Sequence, residues 1–212
     1  MVLGQPDDER RAPPGRAVVA LVLAAGRGRR FTGGTKQLAT VGGRPLVAHA
    51  VATARAAGVD RVVVVGGHDG DAVAGAVRIE DDDAEIVSNP EHAAGQSTSL
   101  AVGIRAVARD DRARVAVVLL ADQPGVGTEA VRAVAAAVRD GASAARASYV
   151  DGPGHPIAFS HEVFDRLTAV EGDAGARHLL DHLDLAHVLV AGRVPMDIDT
   201  VDDLERVRGL LA

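Results

Sequence analysis

Ala17-Val-Val-Ala-Leu-Val-Leu-Ala-Ala-Gly-Arg-Gly-Arg-Arg-Phe31 decides how the rest of the chain is read. A valine-rich apolar run stops at Ala25, and Gly26 and Gly28 follow, interleaved with Arg27, Arg29 and Arg30. A short continuous apolar run closed by turn residues predicts a strand buried on both faces, as in a parallel sheet. Glycines just past such a strand let backbone N–H groups approach an anion closely, and arginines add charge and bidentate donors for phosphate oxygens. The stretch therefore predicts a strand feeding a polyphosphate-binding loop; its plainer alternative is a basic turn in an arginine-rich chain. Two common phosphate loops do not fit. No G-x-x-x-x-G-K-[ST] pattern is present. A dinucleotide fingerprint would need a small residue where Phe31 stands and an acid at the end of the second strand, which instead runs into Gly66-Gly67-His68.

The 212 residues suit one α/β domain with a sizeable core, built on alanine and valine because aromatics make up only 2%. A net charge of −6 argues against nucleic acid or an anionic membrane as partner, so an anion site has to be local, as the basic stretch 27–36 is. With no cysteine there are no disulfides and no thiolate metal sites. Residues 1–16, rich in charge and with Pro13-Pro14, read as a disordered leader, and 17–212 as the folded domain. An export signal is rejected because its cleavage would remove the strand that the glycine loop extends. A cytoplasmic location is the expectation.

Apolar runs alternate with amphipathic ones, which predicts a single-domain, three-layer, Rossmann-like α/β fold with a mostly parallel sheet and helices on both faces. Predicted strands are 18–24, 61–66, 85–87, 115–121, 142–150, 156–160 and 187–190. Predicted helices are 45–57, 71–77, a segment ending near 108, 128–138 with Thr128 as cap, 161–167, 175–183 and 201–210. Polar or glycine-rich residues follow the strands at 26–36, 66–71, 88–99 and 122–127, which is the edge where open α/β sheets bind ligands.

Three further segments carry chemistry. Asp122 directly follows an apolar strand and precedes Gln123-Pro124. It reads equally as a turn aspartate or as a carboxylate for Mg²⁺, a hard cation that takes one or two carboxylates with water and phosphate. Met196-Asp197-Ile198-Asp199-Thr200 places two acids on one face of an extended segment, while Thr200-Val-Asp-Asp203 also fits plain helix initiation. Asn89-Pro-Glu-His-Ala-Ala-Gly95-Gln-Ser-Thr-Ser99 is a glycine–serine loop opening a helix, able to offer backbone donors to an anion. His178 and His182 stand four apart but lack the adjacent glutamate and third ligand of a zinc helix, so a metal role is not assigned to them.

Leu23-Ala-Ala-Gly-x-Gly-x-Arg30 with Lys36 resembles the signature loop of sugar-nucleotide-type nucleotidyltransferases. With Asp122-x-Pro124, Asp197–Thr200, Gly154-His-Pro-Ile-Ala-Phe159 and Gly172-Asp-Ala-Gly-Ala-Arg177, the chain resembles the molybdenum cofactor cytidylyltransferases of the MobA-like NTP transferase family. The resemblance implies nucleotidyl transfer from an NTP, with CTP favoured, to the phosphate of molybdenum-molybdopterin, with release of pyrophosphate. It implies that Leu23, Ala24, Ala25, Gly26, Gly28, Gly67, Asn89, Gly95 and Ser99 line the nucleotide site, that Arg30 and Lys36 neutralise the polyphosphate, and that Asp122 and Asp199 hold Mg²⁺. Asp122 thereby joins Arg30 and Lys36 as catalytic. His155, Asp173 and Arg177 would face the pterin, and a molybdoenzyme is an implied partner. One departure is Pro153, where the family often has arginine. The rival readings are a guanylyltransferase, a transferase for phospholactate or an isoprenoid precursor, and a non-catalytic cofactor chaperone.

Overall fold

A computed structural model describes residues 16–170 and 179–211. The expectations for Asp173, Arg177 and His178, and for the leader up to residue 15, lie outside those residues. The run that decides the sequence reading forms β1 (Ala17–Leu23), an interior strand of a seven-stranded sheet. β1 pairs in parallel with β4 (Arg61–Gly66) on one side and β6 (Ala113–Leu120) on the other. Beyond β4 lies β5 (Glu85–Ser88), also parallel. Beyond β6 the direction changes: β8 (Gly152–Ser160) is antiparallel to both β6 and β7 (Ala144–Tyr149), and β9 (Leu185–Leu189) runs parallel to β7. Two-residue strands β2 (Thr40–Val41) and β3 (Arg44–Pro45) form a separate ribbon that the sequence reading did not anticipate. Its Gly42-Gly43 turn puts both glycines at positive φ, the conformation such tight hairpins need.

Strand alternation divides β1 between two cores. Val18, Ala20 and Val22 face α1 (Leu46–Ala56), α2 (Gly70–Glu80) and α4 (Thr128–Arg139). Val19 and Leu21 face α3 (Gln96–Val107) and α5 (Phe164–Thr168). Both faces being covered explains why β1 and β4 read as unbroken apolar runs. The fold is a single-domain α/β sandwich with a mostly parallel sheet, as expected. Two local expectations are corrected. Thr128 is the first helical residue of α4, not its cap; Gly127 holds the cap position without a side-chain bond. The segment 161–167 is a 3₁₀ turn followed by the short α5.

A third, smaller core gathers Phe31, Val41, Leu46 and Ile198 beneath α6 (Val201–Leu211), with Leu204 and Val207 from the helix itself. Thr200 opens α6 through a reciprocal cap: its hydroxyl accepts from the Asp203 N–H at 3.1 Å, and the Asp203 carboxylate accepts from the Thr200 N–H at 3.0 Å. This core fastens the segment carrying Asp199 to the loop that follows β1. Among the described residues no helix is long and apolar enough to cross a membrane.

Candidate active site

The loop after β1 folds over Lys36. Gly28 has φ +56, and a Cβ placed there would stand 3.0 Å from the Lys36 Cβ, so an alanine would be both strained and crowded. The Gly28 carbonyl closes the turn by accepting from the Phe31 N–H at 2.7 Å. Gln37, itself buried, donates its side-chain amide to the Gly26 carbonyl and so holds the loop from below.

Lys36 is 6% exposed. Its Nζ donates to Asp122 Oδ2 at 2.6 Å and to Asp199 Oδ1 at 3.0 Å. The other Asp199 oxygen takes the Arg30 guanidinium at 2.6 Å. Burial by itself pulls the lysine pKa down, but the charges and hydrogen bonds of the two carboxylates outweigh it, and the net shift is upward. The ammonium is thus firmly protonated. The two carboxylates, 77 positions apart in sequence, meet because Asp122 lies in the turn directly after β6, the neighbour of β1, while the Ile198 N–H donates to the Asp122 carbonyl at 3.0 Å. Asp197 turns away to accept from the Gln123 amide at 2.7 Å.

A cavity of about 440 Å³ opens in front of these charges. Leu23, Ala25, Gly26 and Gly28 form one wall; Gly95, Gln96 and Ser99, at the start of α3, form another, with Lys36 and Asp122 at one end. The first N–H groups of α3 have no partner within the helix and can serve an anion. A second cleft of about 140 Å³ shares Leu23 and Gln96 with the first and is lined by Arg146 and His155 over an apolar floor.

Most of the expected residues converge here, but three do not contribute as expected. Ala24 is buried on the α1 face of the sheet and its N–H is used by the Val65 carbonyl at 2.9 Å, because strand alternation turns it from the cavity. Asn89 is 1% exposed and donates to Thr98 Oγ1 and Ser99 Oγ, both at 2.9 Å. It positions the start of α3 and does not line the cavity. Gly67 is also off the cavity wall: a Cβ there would fall 2.7 Å from the Ala25 carbonyl and 2.9 Å from the Ala25 Cβ, so it permits close packing behind the loop. Lys36 is held between Asp122 and Asp199, and Arg30, largely exposed, pairs with Asp199. Sequence reading missed Gln37, His92 and Gln96 on the wall. The only advance signal for Gln37 was its place beside Lys36, and His92 and Gln96 lie within the loop already singled out as 89–99. The His92 ring takes a hydrogen bond from Arg27 Nε at 3.3 Å across the cavity mouth.

Two carboxylates converging on one cation are the donor set that a hard divalent ion accepts alongside phosphate oxygens. Asp122 and Asp199 therefore fit a metal ion, although the described residues contain no cluster of three or more histidines or acids.

A glycine loop beyond β1, a buried lysine and two convergent acids at the carboxyl edge of the sheet define a nucleotide-handling α/β enzyme. Residues 20–188 match the MobA-like NTP transferase domain, and the chain belongs to that family; it is a nucleotidyltransferase. Over nearly its whole length it is similar to nicotine blue oxidoreductase of Paenarthrobacter nicotinovorans, with 31% identity across 90% of this chain and 96% of that protein. The Rv0371c homologue from Mycobacterium sp. strain JC1 superposes with a TM-score of 0.82 at 34% identity, covering 94% of this chain and 98% of that one. Rv0371c of Mycobacterium tuberculosis H37Rv, solved in complex with manganese, gives 0.77 at 31% identity, covering 91% and 98%.

Proposed function

We propose that the protein transfers a nucleoside monophosphate from an NTP, preferentially CTP, to a phosphate monoester on a pterin cofactor, molybdenum-molybdopterin, releasing pyrophosphate. The observation that carries this reading is the Lys36 ammonium, held by Asp122 and Asp199 beneath the Gly26–Gly28 loop. The acceptor phosphate is already ionised near neutral pH, so no general base is needed, and catalysis rests on orientation and neutralisation of charge. The loop and the start of α3 seat the polyphosphate. Lys36, a point charge on a flexible stem, follows the charge that builds on the α-phosphate and the leaving pyrophosphate. Asp122 and Asp199 would hold a divalent ion, Mg²⁺, which when bound supplies Lewis-acid neutralisation of the phosphate oxygens; manganese in the related Rv0371c structure supports a divalent metal. Arg30 keeps Asp199 in place. The same site could serve a molybdoenzyme in the cytoplasm by completing its cofactor.

CTP is favoured because Ala25, on the cavity wall at the loop base, carries a methyl that a glycine there would lack, which narrows the space for the base. The test incubates the full chain with Mg²⁺, a phosphorylated pterin and equimolar CTP and GTP, following pyrophosphate and the product mass. The expected result is a cytidylylated product, with CTP preferred by at least about tenfold in kcat/KM and part of that preference lost in Ala25→Gly. A guanylylated product would defeat the choice of base. No pyrophosphate with any NTP would overturn nucleotidyl transfer and turn attention to redox chemistry of the kind named for the Paenarthrobacter relative.

A further inference from the structure

Between Phe31 and Lys36 the chain runs through Thr32-Gly-Gly-Thr35, where Thr32, Gly33 and Gly34 are exposed and Gly34 has φ +95. Such a stretch has little stiffness of its own. The 3₁₀ turn that follows, Lys36–Leu38, presents Lys36 to Asp122 and Asp199, and Gln37 to the Gly26 carbonyl. Thr35 stands at the start of that turn. Its carbonyl accepts from the Leu38 N–H at 2.9 Å, and its hydroxyl donates to the Asp69 carboxylate. The second bond ties the turn to the connection between β4 and α2, 34 positions further along the chain. Asp69 occupies the cap position of α2, where an aspartate ordinarily takes an extended backbone and bonds an N–H of the first turn. Here it does neither. Its φ and ψ are +52 and +36, its side chain makes no cap bond, and among the described residues no other non-glycine has positive φ. That region is unfavourable for an L-residue, less so for aspartate than for most, and glycine enters it freely. The oxygen that Thr35 reaches also has His68 Nε2 at 3.5 Å. The start of α2 thus goes without a side-chain cap and holds a left-handed residue, and its carboxylate is turned to the residue before Lys36.

We propose that Asp69 is a positioning residue: through Thr35 it fixes where the turn carrying Lys36 begins, and so sets the rate of nucleotidyl transfer. This rests on the nucleotidyl-transfer reading above and adds a residue that touches neither substrate. Asp122 and Asp199 hold the Lys36 ammonium, but they fix only the tip of a flexible four-carbon stem. In the transfer reading both acids also have to serve a divalent ion. The Thr35–Asp69 bond lies outside that competition and keeps the backbone of the turn in place. The Cβ of Lys36 sits close against Gly28, so a displaced turn is felt in the glycine loop as well.

The experiment uses the full chain and two readouts. One is pyrophosphate release with NTP, Mg²⁺ and a phosphorylated pterin, resolved into kcat and KM. The other needs no substrate: Lys36 is the sole lysine, so protein grown on lysine carrying ¹³C at the ε position gives one side-chain NMR signal, that of Lys36. Asp69→Gly suits the backbone and removes the carboxylate. It should leave the melting temperature nearly unchanged and lower kcat by about 3–10-fold, the range for one hydrogen bond, with KM for the NTP within about twofold. Its Lys36 signal should move toward the position of free lysine. Asp69→Asn tolerates the same backbone and still offers Thr35 an oxygen, so it should restore both the rate and the signal. Thr35→Val should reproduce Asp69→Gly, and the double variant should be no slower than either single one. A wild-type kcat or an unmoved Lys36 signal in Asp69→Gly would overturn the proposal, as would equal losses in Asp69→Gly and Asp69→Asn. Absence of pyrophosphate release with any NTP shows in wild type and defeats the transfer reading. The Lys36 signal then decides the positioning by itself: moved in Asp69→Gly and restored in Asp69→Asn upholds it, and unmoved overturns it.

Discussion

Lys36 is the residue on which the site turns. It is the only lysine in the sequence, set among 22 arginines. Arginine could not replace it easily: the pocket between Asp122 and Asp199 is buried, and a planar fork fits neither the space nor the two separate acceptors. Lys36→Ala should slow the chemical step by about 10²–10³-fold, comparable with the loss of one preorganised donor to the transition state. Single-turnover rates against steady-state KM would check this. A raised KM with an unchanged maximal rate would reduce Lys36 to a ground-state anchor. The same variant leaves Asp122 and Asp199 facing each other without their shared cation, so it should also melt at lower temperature.

At the scale of elements, the segment 197–200 is where stability and activity are tied. Ile198 is fully buried in the third core, while its neighbour Asp199 pairs with Lys36 and Arg30. An extended backbone sends alternate side chains to opposite sides, so one anchors and the next reaches the site. Ile198→Ala should lose about 2–5 kcal/mol of folding stability through the cavity it leaves. It should also depress activity at temperatures where the protein remains folded, because Asp199 loses its fixed backbone. Leu204→Ala, made from the helix side of the same core, should cost comparable stability with a smaller loss of rate. Urea unfolding alongside initial rates separates the two. Equal rate losses at equal stability would show that no special coupling runs through Ile198.

At the scale of the molecule, the cleft imposes a pH dependence on the whole fold. His155 titrates at about 4 in the folded protein, chiefly through burial, against 6.5 for an ordinary histidine. As pH falls from about 6.5 toward 4 the unfolded chain takes up a proton there that the folded chain refuses, so this group lowers stability across that window and adds no further loss below it. Above 6.5 both states are neutral and the contribution vanishes. His155→Gln should therefore flatten the decline: the stability of wild type relative to the variant should fall between pH 7 and 4. Denaturant unfolding at half-unit pH steps would test this, and parallel curves would place the burial of His155 elsewhere than in its titration.

Much of this architecture was legible in the chain itself. The unbroken apolar runs at 17–23 and 61–66 could satisfy themselves only between two layers of helices, which dictated a parallel sheet. Gly26 and Gly28 past the first run located the ligand edge, and Thr200 with Asp203 marked the start of the last helix, because all of these depend on neighbours a few positions away. Contacts between distant segments were decided by tertiary packing alone. No local pattern says that Ala24 turns into a core while Ala25 faces a cavity wall, that Asn89 acts through Thr98 and Ser99, or that the ribbon at 40–45 helps roof a third core. Above all, the meeting of Lys36 with Asp122 and Asp199 requires strands to pair across 40 residues or more, or out of sequence order. Those pairings follow from burying both faces of one sheet, and no short stretch of sequence encodes them.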